Sequence, residues 1–122
     1  MLLTMAARGS SDESLTALDV ATLRMILKGL EAWRATYHDH GVETICWEGF
    51  EYNIIDVETI YTASQEELAP RQAQAIRHFL VGNLREIDVA QMMGIAPTNP
   101  VGMYATDGLK RLIEMIQEGE LF

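Results

Sequence analysis

Apolar residues recur every three or four positions along most of this chain, in segments that end at a glycine. That spacing places the apolar side chains on one face of an α-helix, and glycine readily adopts the conformation that ends a helix. The segments before Gly41, Gly82 and Gly94 therefore predict helices. We expect an all-α fold, apart from residues 44–53, where a short β-hairpin or an extended corner would fit.

The N-terminal part of the domain, residues 16–67, is predicted to begin with one long helix over residues 17–39. Thr16 and Asp19 have the spacing of a capping box, with Asp in the place of Glu. Six apolar residues then follow the helical repeat: Val20, Leu23, Leu27, Leu30, Trp33 and Tyr37. This apolar stripe favours packing within the core, with dimerisation as the alternative. Residues 1–15 are expected to be flexible.

Residues 44–53 alternate weakly between apolar and polar types around Gly49, which suits the hairpin or the corner. Trp47 and Phe50 are expected to fill the space between the first helix and the C-terminal helices. Asn53 is a favourable N-cap residue. It predicts a short helix over residues 54–61, and residues 62–67 are then read as a connection.

The C-terminal part of the chain begins with two well-delimited helices. Pro70 suits the first turn of a helix that ends at Gly82. Asn83, with Glu86 three positions later, is expected to cap a second helix over residues 84–93.

The second of these helices has the spacing of a helix-turn-helix, which needs a small residue where its two helices cross and a glycine four positions later. Ala90 and Gly94 meet this requirement. Five further residues match the apolar positions, the last two displaced by one residue: Val89, Met93, Ile95, Val101 and Tyr104. We therefore predict a helix-turn-helix within residues 68–122, with a third helix that begins near Thr98 or Pro100. The alternative is an ordinary three-helix corner.

The distribution of charge bears on what the chain can bind. Its 122 residues carry a net charge of −9, which disfavours DNA binding, since affinity for DNA depends on Lys and Arg. Residues 1–68 contain 4 basic and 12 acidic side chains, whereas residues 69–122 contain 5 and 6. The C-terminal part can therefore approach DNA while the acidic part faces solvent or a basic protein surface.

Other classes of protein find little support in the sequence. The apolar stretch at the N-terminus is too short for a signal peptide or a membrane span, so we expect a cytoplasmic protein with no membrane contact. The single cysteine, Cys46, leaves no internal disulfide, and with His38 and His40 it lacks a fourth metal ligand. Motifs for phosphate binding or nucleophilic catalysis are missing. We expect no enzymatic activity, no cofactor and no metal.

The C-terminal residues also resemble a known family. Residues 68–72, 75–76, 85–86, 89–90, 94–95 and 104–112 are similar to the DNA-binding C-terminal region, region 4, of bacterial sigma factors. The segment PTNPVGMYAT, residues 97–106, is similar to small sigma-like helix-turn-helix proteins of bacteriophages that infect actinobacteria. The resemblance covers residues 68–116 and none of the sigma regions that melt DNA. It implies promoter binding by the third helix, with host RNA polymerase as a further partner.

On this interpretation, exposed residues early in the third helix read bases in the major groove of double-stranded DNA, and basic residues bind phosphates. The predicted base readers are Thr98, Asn99, Met103 and Thr106. The predicted phosphate ligands are Arg71, Arg77, Arg85, Lys110 and Arg111. A helix-capping role for Asn99 and a core position for Met103 are the alternatives. Gly102, Asp107 and Gly108 precede the first basic residue of the third helix, which departs from the sigma pattern and predicts weak affinity.

The expected function is sequence-specific DNA binding by a monomer or homodimer that regulates phage or bacterial transcription. One alternative is a small terminase-type subunit for DNA packaging or phage assembly, which would form a ring. The other is a protein-interaction module that binds RNA polymerase without touching DNA.

Overall fold

The computed structural model describes residues 13–96 and 101–122, which form a mostly helical fold with a small two-stranded antiparallel sheet. Residues 13–17 are helical and precede the longer elements. Those elements are, in order, α1 (Val20–Lys28), α2 (Leu30–His40), β1 (Thr44–Trp47), β2 (Phe50–Asn53), α3 (Ile54–Glu66), α4 (Pro70–Ala75) continued by a π-helix (Ile76–Val81), α5 (Glu86–Met93) and α6 (Val101–Gln117). The all-α expectation holds apart from this sheet.

The start of the first helix differs from the prediction. Asp19, not Thr16, is the N-cap of α1: its backbone is extended (φ −114°, ψ 172°) and its carboxylate accepts a hydrogen bond from the Thr22 amide at 2.7 Å. The hydrogen bonds from Thr22 hold the pKa of Asp19 below its ordinary value. Residues 13–15, expected to be flexible, are helical, and Ser14 and Leu15 are buried.

The single long helix predicted over residues 17–39 is wrong, because α1 and α2 are separate helices that meet at Gly29. Gly29 has φ −94° and ψ 0°, outside helical geometry. The side-chain amide of Asn83 donates to the Lys28 carbonyl at 2.8 Å and so binds an acceptor at the end of α1. The predicted end is confirmed, since Gly41 caps α2 in the left-handed conformation at φ 68°.

The sheet confirms the hairpin rather than the extended corner. Its strands pair from Thr44 opposite Asn53 to Trp47 opposite Phe50. The two turn residues, Glu48 and Gly49, have positive φ values of 51° and 85°, as a type I′ turn requires. The core role expected for Trp47 is wrong, because its side chain is exposed.

The hairpin contributes Tyr52 to the core instead, at 3% exposure. Burial raises the pKa of the Tyr52 phenol. Phe50 packs against the core but is only half-buried, so it fills the expected space in part.

α3 begins where predicted, with the Asn53 side chain accepting from the Ile55 amide at 2.8 Å. It continues to Glu66, so the connection expected over residues 62–67 is helical almost to its end. The reason is tertiary: Ala63 and Ser64 are buried, and Gln65 donates to the Ala73 carbonyl at 3.1 Å. Contact with α4 stabilises this last turn, which the polar sequence did not indicate.

α4 and its π-helical continuation begin at Pro70 and end before Gly82, as predicted. The next helix, α5, begins at Glu86, two residues later than expected. Asn83 is not its cap, because it adopts a left-handed conformation at φ 52°. Gly94 ends α5 at φ 69°, in agreement with the sequence.

The core lies where α6 crosses α1, α4 and the π-helix. Its largest fully buried side chains include Leu23 and Leu27 of α1, Ile60 of α3, Ile76 and Leu80 of the π-helix, and Leu109 and Leu112 of α6. Within residues 13–96 and 101–122, no helix combines the length and the apolar character needed to cross a bilayer.

Candidate nucleic-acid interface

The candidate site is the α5–α6 corner, which comprises α5, the turn at Gly94 and Ile95, and the first turns of α6. Val89 and Ala90 are fully buried on its inner side. The Gly94 amide donates to the Gln91 carbonyl at 3.1 Å, and the Ile95 amide donates to the Ala90 carbonyl at 3.0 Å. These two hydrogen bonds form a Schellman motif, in which the left-handed glycine redirects the chain out of α5.

The two helices of the corner also meet at their N-terminal ends. The Glu86 carboxylate in the first turn of α5 accepts a hydrogen bond from the Gly102 amide in the first turn of α6, at 3.2 Å. A carboxylate at this place satisfies a free amide and complements the positive end of the helix dipole. Glu86 was expected to form a capping box with Asn83, and instead it holds the start of α6 against α5.

The exposed face of α6 carries four side chains spaced three or four residues apart: Met103, Asp107, Lys110 and Glu114. Met103 is 59% exposed, so the core alternative for this residue is wrong. The face presents one cation and two carboxylates. Its charge alone therefore gives little attraction for phosphate.

Arg71 is brought beside the first turns of α6 by a contact with Tyr104. Its guanidinium donates to the Tyr104 hydroxyl at 2.9 Å and lies 5.7 Å from the centre of the ring. Two polar groups that can bind one phosphate thus lie side by side. The sequence placed Tyr104 only in the packing of the helix, and nothing in the spacing indicated its contact with Arg71, 33 positions away.

Thr106 is not a free base reader. Its hydroxyl donates to the Gly102 carbonyl at 2.8 Å and accepts from the Arg24 guanidinium of α1. Arg24 of α1 therefore lies next to the candidate site, where it binds α6 through Thr106. The sequence could not reveal it, because Arg24 and Thr106 are 82 positions apart.

Two of the predicted phosphate ligands are held in ion pairs. Arg85 contacts Asp88 at 3.0 and 3.2 Å, and the hydrogen bonds to this carboxylate raise the pKa of Arg85. Arg111 has three carboxylates within 4 Å: Glu114 at 3.4 Å, Glu118 at 3.9 Å and Glu120 at 3.4 Å. Both side chains nevertheless stay exposed, at 78% for Arg85 and 44% for Arg111, so their roles as phosphate ligands remain predictions, with these carboxylates as competitors.

Arg77 and Lys110 are exposed and form no salt bridge within the described part of the chain. Arg77 belongs to the π-helix, and its charge reaches Tyr61 of α3. Burial raises the pKa of Tyr61, and the charge of Arg77 acts in the opposite direction. Among the described residues, Arg71, through its contact with Tyr104, and Lys110 are therefore the predicted phosphate ligands that lie at α6 without a salt bridge.

Thr98 and Asn99, the other predicted base readers, lie outside the described residues, as does the predicted start of the third helix. In residues 13–96 and 101–122, no group of three or more His, Cys, Asp or Glu side chains is arranged to hold a metal ion.

Comparison with known proteins adds no relative: no family model matches the chain, and neither a curated protein nor a solved structure matches it.

Proposed function

We propose that this protein is a helix-turn-helix regulator of transcription that binds double-stranded DNA with the first turns of α6 in the major groove. The observation that carries this proposal is the contact between the N-terminal ends of α5 and α6, where the Gly102 amide donates a hydrogen bond to the Glu86 carboxylate. The Schellman turn at Gly94 ends α5 and redirects the chain out of that helix. Such a corner supports a rigid helix from which exposed side chains can reach base edges.

The side chains of the corner have distinct proposed roles. Arg71 and the Tyr104 hydroxyl bind one phosphate, and Lys110 binds another farther along α6. Met103 gives an apolar contact of the kind that recognises the methyl group of thymine. Thr98 and Asn99 remain the proposed polar base readers in the segment that leads into α6.

A second contact is needed for useful affinity, because two or three phosphate contacts give weak binding at physiological salt. The resemblance to sigma factors favours bacterial RNA polymerase as this second contact, in which case the protein acts in a bacterial cytoplasm. A homodimer that binds two half-sites would serve the same purpose. No step of this function needs catalysis or a cofactor.

The test is a titration of the purified full chain with labelled duplexes from its source genome, at low and at physiological salt. Lys110→Ala is expected to weaken binding about threefold to tenfold on every duplex, because it removes one phosphate contact. Arg111→Ala is the matched control. Arg111 is the next residue of the same helix, and three glutamates surround it. The DNA affinity of the Arg111→Ala variant should therefore stay within about twofold of that of the parent chain.

Asn99→Ala should weaken binding mainly on the preferred duplex, by about tenfold or more, if Asn99 reads a base. Equal loss on all duplexes would reject that role. Absence of binding at low salt, or a Lys110→Ala variant that binds every duplex as tightly as the parent chain, would reject DNA binding through α6.

A protein-interaction module is the second candidate, and the charge of the site favours it. Two of the five predicted phosphate ligands, Arg85 and Arg111, are engaged with carboxylates, and Asp107 and Glu114 flank Lys110 on the exposed face. This candidate predicts binding to RNA polymerase with no DNA affinity of its own. The mass in solution tests the packaging alternative, which requires a large ring.

A further inference from the structure

A cleft on the other part of the molecule suggests a second binding surface. It lies between α2 and α3, has a volume of about 410 Å³, and is lined in part by Arg34, Tyr37, Ile54, Ile55 and Glu58. We call it the α2–α3 cleft. None of its residues belongs to the α5–α6 corner, so a partner can bind the cleft whether or not the protein binds DNA.

The apolar part of the cleft is unusually open to solvent. Ile55, in the first turn of α3, is 64% exposed, and Tyr37 of α2 is 41% exposed. Ile54 beside them is buried. Single exposed apolar residues are common, but two that line one concave site are typical of a surface that another molecule covers.

Ionic contacts hold the two walls of the cleft together. Arg34 of α2 donates two hydrogen bonds to the Glu58 carboxylate of α3, at 2.7 and 2.6 Å, and another to Glu31. These carboxylates raise the pKa of Arg34. The same guanidinium lies 5.2 Å from the centre of the Tyr61 ring. A planar guanidinium held on this many sides keeps the spacing of α2 and α3 constant, which preorganises the cleft.

The charge around the cleft is negative. The guanidinium of Arg34 forms salt bridges with two carboxylates, those of Glu31 and Glu58. Glu31 is largely exposed at the rim of the cleft. Across α2 and α3 the acidic residues are Glu31, Asp39, Asp56, Glu58 and Glu66, against Arg34 as the one Lys or Arg. Arg77 of the π-helix, whose charge reaches Tyr61, adds a second cation from another element, and the balance stays negative. A field of this sign attracts a cationic partner and repels nucleic acid and anionic lipid.

We propose that the α2–α3 cleft docks a basic amphipathic helix of a partner protein. Apolar side chains of that helix, one turn apart, occupy the site between Tyr37 and Ile55, in the way that helices commonly bind grooves. Its lysines and arginines face Glu31 and Glu58 at the rim. The charge complementarity on α2 and α3 selects this occupant over an acidic or neutral one.

The experiment selects binders from a displayed library of random peptides of about 16 residues, long enough for four helical turns. The full-length protein is the target. Enriched peptides are expected to be cationic, with apolar residues at positions i, i+3 or i+4, and i+7. Their affinities are then measured for the parent chain and for three variants.

Ile55→Asp should weaken binding of the enriched peptides about tenfold or more, because it places a carboxylate in the apolar part of the cleft. Glu31→Lys should also weaken it, since it reverses charge at the rim while Glu58 still holds Arg34. Ile87→Asp is the matched control: Ile87 is a 45% exposed isoleucine on α5, and its replacement should leave peptide affinity within about twofold.

Three results would overturn the proposal: enrichment of acidic or neutral peptides, equal effects of Ile55→Asp and Ile87→Asp, or a dimeric parent chain that Ile55→Asp separates into monomers. The last would identify a second copy as the occupant. DNA binding by Ile55→Asp should remain unchanged, so failure of this proposal and failure of the DNA-binding proposal can be told apart.

Discussion

Asn83 was predicted to cap α5, but in the structure it forms a different contact. Asparagine favours both helix caps and the left-handed conformation, and the sequence alone favoured the cap. In the structure its backbone is left-handed at φ 52°, and its side chain donates to the Lys28 carbonyl at 2.8 Å. The bond joins the end of α1 to the segment before α5. No local pattern could predict it, because the partners are 55 positions apart.

Two substitutions of Asn83 separate the contribution of its side-chain hydrogen bond from that of its left-handed backbone. Asn83→Ala should lower the free energy of unfolding by about 1 to 2 kcal/mol, because it loses the hydrogen bond and strains a left-handed backbone. Asn83→Gly loses the same bond but tolerates the backbone, so its loss should be clearly smaller. Urea denaturation followed by far-UV circular dichroism measures both. An Asn83→Gly variant as unstable as Asn83→Ala would mean that backbone conformation contributes nothing at this position.

At the scale of elements, α6 depends on two glycines for different reasons. A β-carbon on Gly108 would lie 2.8 Å from the terminal methyl of Ile76 and 3.1 Å from a methyl of Leu68. Among the described residues, the nearest atom to a β-carbon on Gly102 is a carboxylate oxygen of Glu86, at 3.4 Å. The first glycine allows α6 to approach α4 and the π-helix, whereas a methyl group at the second would touch only the end of a flexible side chain in the described part of the chain.

Alanine at these two positions should therefore change stability in opposite directions. Gly108→Ala should destabilise by about 1 kcal/mol net, since overpacking costs more than the gain in helix propensity. Gly102→Ala should stabilise by up to about 1 kcal/mol, because the gain in helix propensity is opposed by no contact under 3.4 Å with the described residues. Thermal and urea unfolding of the two variants test this difference. Stabilisation by both would show that Ile76 and Leu68 can move aside freely.

The bounds of the helices were predictable where capping residues act locally. Pro70, Gly82 and Gly94 delimit helices as the sequence indicates, and Asn53 caps α3. The end of α3 was missed because its last turn is stabilised by packing against α4 rather than by its own residues. The break at Gly29 was missed for a related reason, since the apolar stripe continues across it without interruption.

At the scale of the whole molecule, charge limits any interaction with DNA. The net charge is −9, and carboxylates within 4 Å of Arg85 and Arg111 compete with phosphates for these two cations. The acidic residues of α2 and α3 surround a separate cleft. This separation suits a protein that holds DNA weakly through one surface and a protein partner through another.

The salt dependence of DNA binding should reflect this small number of free cations. With two or three phosphates neutralised, the logarithm of the association constant should fall with the logarithm of salt concentration at a slope of about −2 to −3. A slope near about −4.5 would mean that all five predicted phosphate ligands contact DNA, and that the ion pairs open on binding. Anisotropy titrations of the full chain at four or more salt concentrations provide the measurement.

The sequence by itself determined the helical class and the ends of several helices, because caps and periodicity act over a few residues. It left residues 44–53 between a hairpin and an extended corner, and the structure decided for the hairpin. It also identified Ala90 and Gly94 as residues of one corner. The ion pairs Arg85–Asp88 and Arg111–Glu114 join residues three positions apart on one helix, so they too are local. Only the tertiary structure decided the contacts between distant residues: Arg24 binds Thr106, Arg71 lies beside Tyr104, and Tyr37 and Ile55 line one cleft. The residues of each pair are far apart in the chain, and their placement depends on packing that no local pattern encodes.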